Sequence, residues 1–251
     1  MIRFFALTRR EVSRFVKIKG QTIGAPLLET FLYISVFGAA LGTRVGDLDG
    51  VDYVVYVIPG LILMAWAINA FTNNASSLLQ QKFQRSIDDQ LSSPATPIQL
   101  LLAFTLGGFL RGMTIAIITF LVASVLVDLP VEHPLVLVIS LFLVGFFFSQ
   151  LGVLVGIRAE QFDDVSFART FVLRPLIFLG GIFYSASLLP EPYQTLTHFN
   201  PVYYMISTVR YGFLGQQDVN ITLSLIGLTI ATGALFLANH RLFVSGYKLR
   251  T

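Results

Sequence analysis

Residues 135–157 carry no charged side chain. A run that long and that apolar meets the roughly 20 residues a helix needs to cross a hydrocarbon core about 30 Å thick. Within a bilayer a bare loop or an open sheet edge leaves peptide groups unpaired, so only helices or closed barrels can span it. Composition extends this constraint to the whole chain. Of its 251 residues 55% are hydrophobic and 12% charged, whereas an average soluble domain has about 25% charged residues. Most of the surface must therefore face something other than water. The expected class is an all-α polytopic membrane protein. It reads as one domain over residues 1–251, because no Ser/Gly/Pro linker or long charged block divides it.

Several chemistries are excluded. The chain has no cysteine, hence no disulfide and no thiolate metal site. His133, His198 and His240 lie far apart, without metal-ligand spacing. No Gly-x-x-x-x-Gly-Lys-Ser/Thr run is present to cradle nucleotide phosphates. Nor are there His-Glu-x-x-His, Gly-x-Ser-x-Gly or paired intramembrane aspartates of a membrane protease. Arg9, Arg10, Arg14, Lys17 and Lys19 interrupt the first residues, so they do not read as a signal peptide. The sequence pI of about 9.3 reflects basic residues gathered on one side of a membrane rather than affinity for nucleic acid.

Six transmembrane spans are expected, over 22–42, 53–72, 107–127, 135–157, 171–189 and 219–239. An amphipathic helix over 1–21 precedes them and a tail over 240–251 follows. At 100° per residue Phe4, Phe5, Thr8, Val12, Phe15 and Val16 share one arc, with Arg3, Arg10, Arg14 and Lys17 opposite. That pattern suits a helix in the interface of an anionic leaflet, or one docked on a partner. Glu29 falls inside the first span, about two turns from its cytoplasmic end. It is either a functional carboxylate or one paired with a nearby Lys or Arg. Pro59-Gly60 predicts a kink in the second span. Trp66, Asn69, Phe71, Asn73 and Asn74 in its lower half either line a path or bond helix to helix.

A polar stretch, 76–97, comes next and reads as a short helix stopped by Pro94 and Pro97. The apolar region 98–127 is too long for one upright span, so a lead-in segment is expected before 107, with Arg111 snorkelling at the inner interface. On this layout only Arg44 and Arg210, of 17 Lys and Arg, fall outside. Asp47, Asp49, Asp52, Asp128, Glu132, Glu191 and Asp218 lie there too. Such a bias places both termini in the cytoplasm.

Between the last two spans, residues 195–206 are too polar and too short to cross, yet too aromatic for a water-exposed loop. A segment that dips into the membrane and returns satisfies both limits, because irregular backbone survives at depth only when protein covers it. The re-entrant segment runs from Pro190 to Arg210, with Asn200 set to cap the turn begun by Pro201.

The block Leu179-Gly180-Gly181-Ile182-Phe183-Tyr184, Leu189-Pro190, Phe199-Asn200-Pro201 and Arg210 resembles the C-terminal signature of type-2 ABC-transporter permeases. The likeness covers nearly the whole chain. It implies the membrane subunit of an exporter of drugs, polysaccharides or lipids in a bacterial-type inner membrane. Such a subunit is no enzyme and holds no cofactor; ATP and Mg belong to separate ATPase partners. The resemblance further implies a dimer of this chain, with the second and fifth spans at the midline. Candidate path residues are then Trp66, Asn69, Phe71, Asn73, Phe178, Phe183 and Tyr184. The stretch 76–97 would hold the coupling helix, with Arg85, Asp88, Asp89, Leu91, Ser93 and Pro94 as contacts to the ATPase. Without the resemblance, a passive channel, a secondary carrier or a membrane scaffold remains open.

Overall fold

The computed structural model of the chain describes residues 2–17, 20, 24–36, 46–48 and 50–249. Helix α1 (Ile2–Lys17) is followed by the short apolar α2 (Ala25–Val36). The remainder of the first expected span, to residue 42, lies outside the described residues, as do Arg44, Asp49 and Arg250. A two-stranded antiparallel hairpin, β1 (Asp47–Leu48) and β2 (Val51–Asp52), pairs Leu48 with Val51. The Asp52 carboxylate accepts the Val54 N–H at 2.8 Å and so starts α3 at the first orphan donors of the helix.

Four of the described helices are long and apolar enough to cross a membrane. They are α3 (Tyr53–Phe83), α5 (Pro97–Leu126), α6 (Pro134–Arg158) and α11 (Ile221–Ser245). Between α3 and α5 stands one short helix, α4 (Ser86–Leu91).

Three expected boundaries are corrected here. The second expected span, 53–72, lies in a longer helix: α3 runs without a break through Pro59 and on to Phe83, taking in Asn73, Asn74 and the first eight residues of the stretch 76–97. It ends where Arg85 takes a left-handed backbone, φ 53°, which no helix interior accepts. Nor is there a separate segment before 107. A capping box between Thr96 and Gln99, with Pro97 at the first position, starts α5 ten residues earlier. Helix α11 likewise reaches Ser245 rather than 239, taking His240 and Arg241 with it.

The fifth expected span, 171–189, is also not one helix. Helix α7 (Phe162–Phe167), a π-helical turn (Ala168–Leu173) and α8 (Arg174–Phe178) join end to end. Residues 162–178 are thus helical without a gap, and the helix stops at Phe178. There Gly181 adopts φ +83°, open to glycine at no steric cost, and the chain turns away. A 3-10 turn (Ala186–Leu188), α9 (Glu191–Phe199) and α10 (Pro201–Leu214) follow.

The core sits where α3 is enclosed by α5, α6 and α10. Glycines set the distances. A Cβ on Gly112 would lie 2.3 Å from Cδ1 of Trp66, one on Gly145 2.4 Å from its Nε1, and one on Gly152 2.4 Å from the Phe71 carbonyl oxygen. Small residues that let backbones approach are the usual means of helix association in lipid, where burial of apolar groups gives no net drive.

Candidate functional site

The end of the bundle that carries α1 and α4 is wired by side chains. Glu11, 1% exposed, sits over Gly107 of α5, which leaves room for its stem. Its carboxylate accepts from Ser77 at 2.6 Å, Gln81 at 3.0 Å and Arg10 at 2.8 Å. Arg14 donates to the Asn73 carbonyl and to its Oδ1, at 2.7 and 2.8 Å. Burial pulls the Arg14 guanidinium below its usual range and Glu11 pushes the other way; an arginine stays charged regardless. Arg10 also donates to Gln81 and Gln90, each at 2.9 Å, and Gln90 belongs to α4. Helix α1, the lower half of α3 and α4 are therefore one hydrogen-bonded unit.

On α1, Arg10 and Arg14 reach internal partners although Arg10 itself stays exposed, while Phe15 is buried and Phe5 and Val16 are exposed. Glu11, the only acid of the helix, was the missed signal, because a lone carboxylate among arginines marks the face with internal partners. One level deeper, Asn74 donates to the Ser149 carbonyl and hydroxyl, Ser149 to the Thr105 carbonyl, Gln150 to the Thr105 hydroxyl, and Asn239 to Gln150. Buried amides and hydroxyls bonded to one another and to backbone carbonyls tie α3, α5, α6 and α11 at one height.

Of the expected coupling residues, Arg85 and Asp89 are exposed and Asp88 and Leu91 half-buried. Leu91 packs against the protomer's own cluster of Leu78, Ile87 and Leu100. The Ser93 hydroxyl donates to the Gln90 carbonyl at 2.7 Å and accepts from the Ala95 N–H, closing the turn before exposed Pro94. Beside α4, Phe83 and Phe162 stack at 5.3 Å with both rings more than half exposed. The sequence reading passed over these two rings, since they lie 79 positions apart and only the fold joins them. Lys82 donates to the Ile157 and Ala159 carbonyls, capping α6. Nearby, the backbone N–H groups of Glu160 and Gln161 hold the Asp164 carboxyl below its ordinary range.

At the opposite end, Arg210 is 1% exposed and acts as a rivet. It donates to the Gly181 carbonyl at 2.7 Å and to Asp218 at 3.0 Å, and its guanidinium lies 3.8 Å from the centre of the Tyr56 ring. It belongs to a helix rather than to an outer loop. Asn200 caps α10 as expected, accepting from the Val202 N–H, and its amide also donates to the Leu176 carbonyl at 2.6 Å. The C-terminus of α10 meets the start of α6, where the Glu132 and His133 N–H groups donate to the Phe213 and Gly212 carbonyls. Pro190, just before α9, is exposed.

The expected path residues separate into two sets. Trp66, Phe71 and Asn73 are buried within the protomer, and Trp66 fills the slot between Gly112 and Gly145. Asn69, Phe178, Phe183 and Tyr184 keep exposure, and Phe178 stacks on Phe183 at 5.5 Å. Asn69 shares a hollow with Glu29, Tyr33 and Arg174. Among the described residues no three His, Asp or Glu side chains converge where a metal could bind.

The chain is thus a multi-pass helical membrane protein with one end of its bundle cross-linked by side chains to the short helix α4. The sequence profile described as "ABC-2 type transporter" matches residues 2–214, and the chain belongs to that family. It is 38% identical over 242 residues to the inner membrane transport permease YadH of Escherichia coli (strain K12), covering 96% of this chain and 94% of that one. It is 26% identical over 246 residues to nodulation protein J of Rhizobium leguminosarum bv. viciae, covering 95% and 92%, and 25% identical over 230 residues to nodulation protein J of Rhizobium meliloti (strain 1021), covering 88% and 84%.

Proposed function

We propose that the chain is the permease subunit of an ATP-driven exporter in a bacterial-type inner membrane. Two copies form the path, and separate ATPase subunits, which hold ATP and Mg, drive it. The α1 end is cytoplasmic, and the hairpin end faces outward. Helices α9 and α10 form the segment that enters from outside and returns, since α10 begins against Leu176 and ends beside the start of α6. The observation that carries the reading is the wiring of α4. A docking helix must transmit displacement, and α4 is joined through Gln90 to Gln81 and Arg10 rather than left on a loose loop. The exposed face of α4 (Arg85, Asp89) and the adjoining Phe83–Phe162 stack offer charge and apolar surface together, which is how interfaces combine register with affinity.

The experiment is purification of the permease with its ATPase. Reversal at Asp88→Lys and Asp89→Lys should reduce co-purification and transport-linked hydrolysis while membrane insertion is retained, because exposed charges contribute little to folding. The matched control is Asp163→Lys alone, since Asp164 caps two backbone N–H groups. Full tolerance at 88–89 with loss at 163 moves the docking site to α7. An alternative reading, a passive channel or secondary carrier, predicts activity with no ATPase bound.

A further inference from the structure

Glu29 and Arg174 are exposed on the protomer surface, and no ion pair or side-chain hydrogen bond among the described residues holds either one. Their depth makes this notable. The hollow they share with Tyr33 is backed by α3 from Leu61 to Asn69, about 12–24 Å along the helix from Tyr53 at 1.5 Å per residue. Tyr53 follows the acidic hairpin residues Asp47 and Asp52 and stands with Tyr56 at the start of the helix, where aromatic residues mark a membrane interface. In a hydrocarbon core about 30 Å thick, the charges therefore lie well inside it. Charged side chains at that depth do not face acyl chains; they face a bundle interior or water.

A second hollow of about 330 Å³ shares Glu29 and Tyr33 with the first and continues along Leu32 and Val36. The combined surface is dipolar at one end, cation and anion side by side, and apolar at the other.

We propose that this wall is a hydrated recognition site for a zwitterionic amphiphile, with its anionic group at Arg174, its cationic group at Glu29 and its chain along Leu32 and Val36. The assignment rests on the two-copy path proposed above, because the wall must line water rather than lipid. Opposite charges that share one hollow without an ion pair between them favour a ligand carrying both signs. A ligand of one sign satisfies one group and leaves the other unpaired.

The cysteine-free chain permits a direct test. Asn69→Cys, on the same hollow, reports hydration in the full chain in dodecyl maltoside through its rate of reaction with a charged methanethiosulfonate, which needs a thiolate and hence water. It should react much faster than Leu223→Cys on the exposed flank of α11. Dodecylphosphocholine should slow that reaction severalfold, whereas dodecyl sulfate and dodecyltrimethylammonium at equal concentration should not. Adding Glu29→Gln or Arg174→Gln should abolish the protection while elution of the protein is unchanged. Equal rates at 69 and 223 overturn the hydrated site. Fast reaction with no protection, or equal protection by all three amphiphiles, overturns the ligand class. Oxidative cross-linking of Leu32→Cys between copies tests the shared path separately, so a cross-link with failed protection removes this proposal and leaves that reading standing.

Discussion

Helices α3, α5 and α6 meet through glycines and buried amides, whereas the stretch from α7 to α10 is broken three times, after Phe178, at 189–190 and at Asn200, and held by a few polar bonds. The first region has shape complementarity over its whole length; the second has Arg210, Asn200 and the Gly180-Gly181 turn. Both are helical and apolar, yet they fail differently. A close-packed region is sensitive to added volume, and a riveted region is sensitive to loss of one hydrogen-bonding group.

The largest effect should come from the rivet. Arg210→Met removes the Gly181 bond, the Asp218 pair and the Tyr56 contact together. Breaking a buried charge pair from one side costs about 3–5 kcal/mol, read as a fall in the thermal midpoint of the purified protein. A cost no greater than that of an exposed arginine such as Arg85→Met would show that the 179–189 turn holds itself.

Added volume in the glycine-packed region comes second, at about 1–3 kcal/mol. Gly112→Ala and Gly145→Ala should both destabilise, but only one should be rescued by Trp66→Leu. The close atoms at Gly145 are all indole atoms, whereas at Gly112 the Trp66 carbonyl oxygen also lies within 2.8 Å. Rescue of both would mean that the helices can separate.

Glu11→Gln keeps the shape and removes the charge, so Ser77, Gln81 and Arg10 lose a charged acceptor worth about 1.5–3 kcal/mol. Loss of coupled hydrolysis at equal expression would separate transmission through α1 from folding.

The smallest effect belongs to Lys248→Ala. Its partner Glu160 is held below the ordinary carboxylate range by the Lys248 ammonium, and Lys248 is held above its own. A lowered carboxylate loses its contribution as pH falls through its folded pKa, and a raised ammonium loses its own as pH rises through its folded pKa. The pair is thus intact across neutral pH. Both groups are solvent-exposed, so the variant's melting curve should overlay the parent at neutral pH.

These contrasts bear on what could be read in advance. The Asn200–Pro201 cap and the uncharged run of α6 were visible because caps and span lengths are local: one side chain and the next few N–H groups settle them. The π turn at 168–173 and the stop at Phe178 were hidden, because 171–189 is mainly apolar with Arg174 its one charge, and the bond from Arg210 to the Gly181 carbonyl that holds the turn comes from a distant part of the chain. Asn73 and Trp66 looked equally suited to a path or to packing, and sequence periodicity offers no means of choosing.

The sequence by itself determined the class: a charge-poor, cysteine-free helical membrane chain with its family signature spread along it. Tertiary structure decided which face of each helix turns inward. In water the buried face is the apolar one, so a moment points to the core. In a bilayer both faces are apolar, and the inward side is marked instead by small residues and satisfied amides. That is why Glu11 is buried among Ser77, Gln81 and Arg10, whereas Glu29 and Arg174 are left on the surface of the protomer.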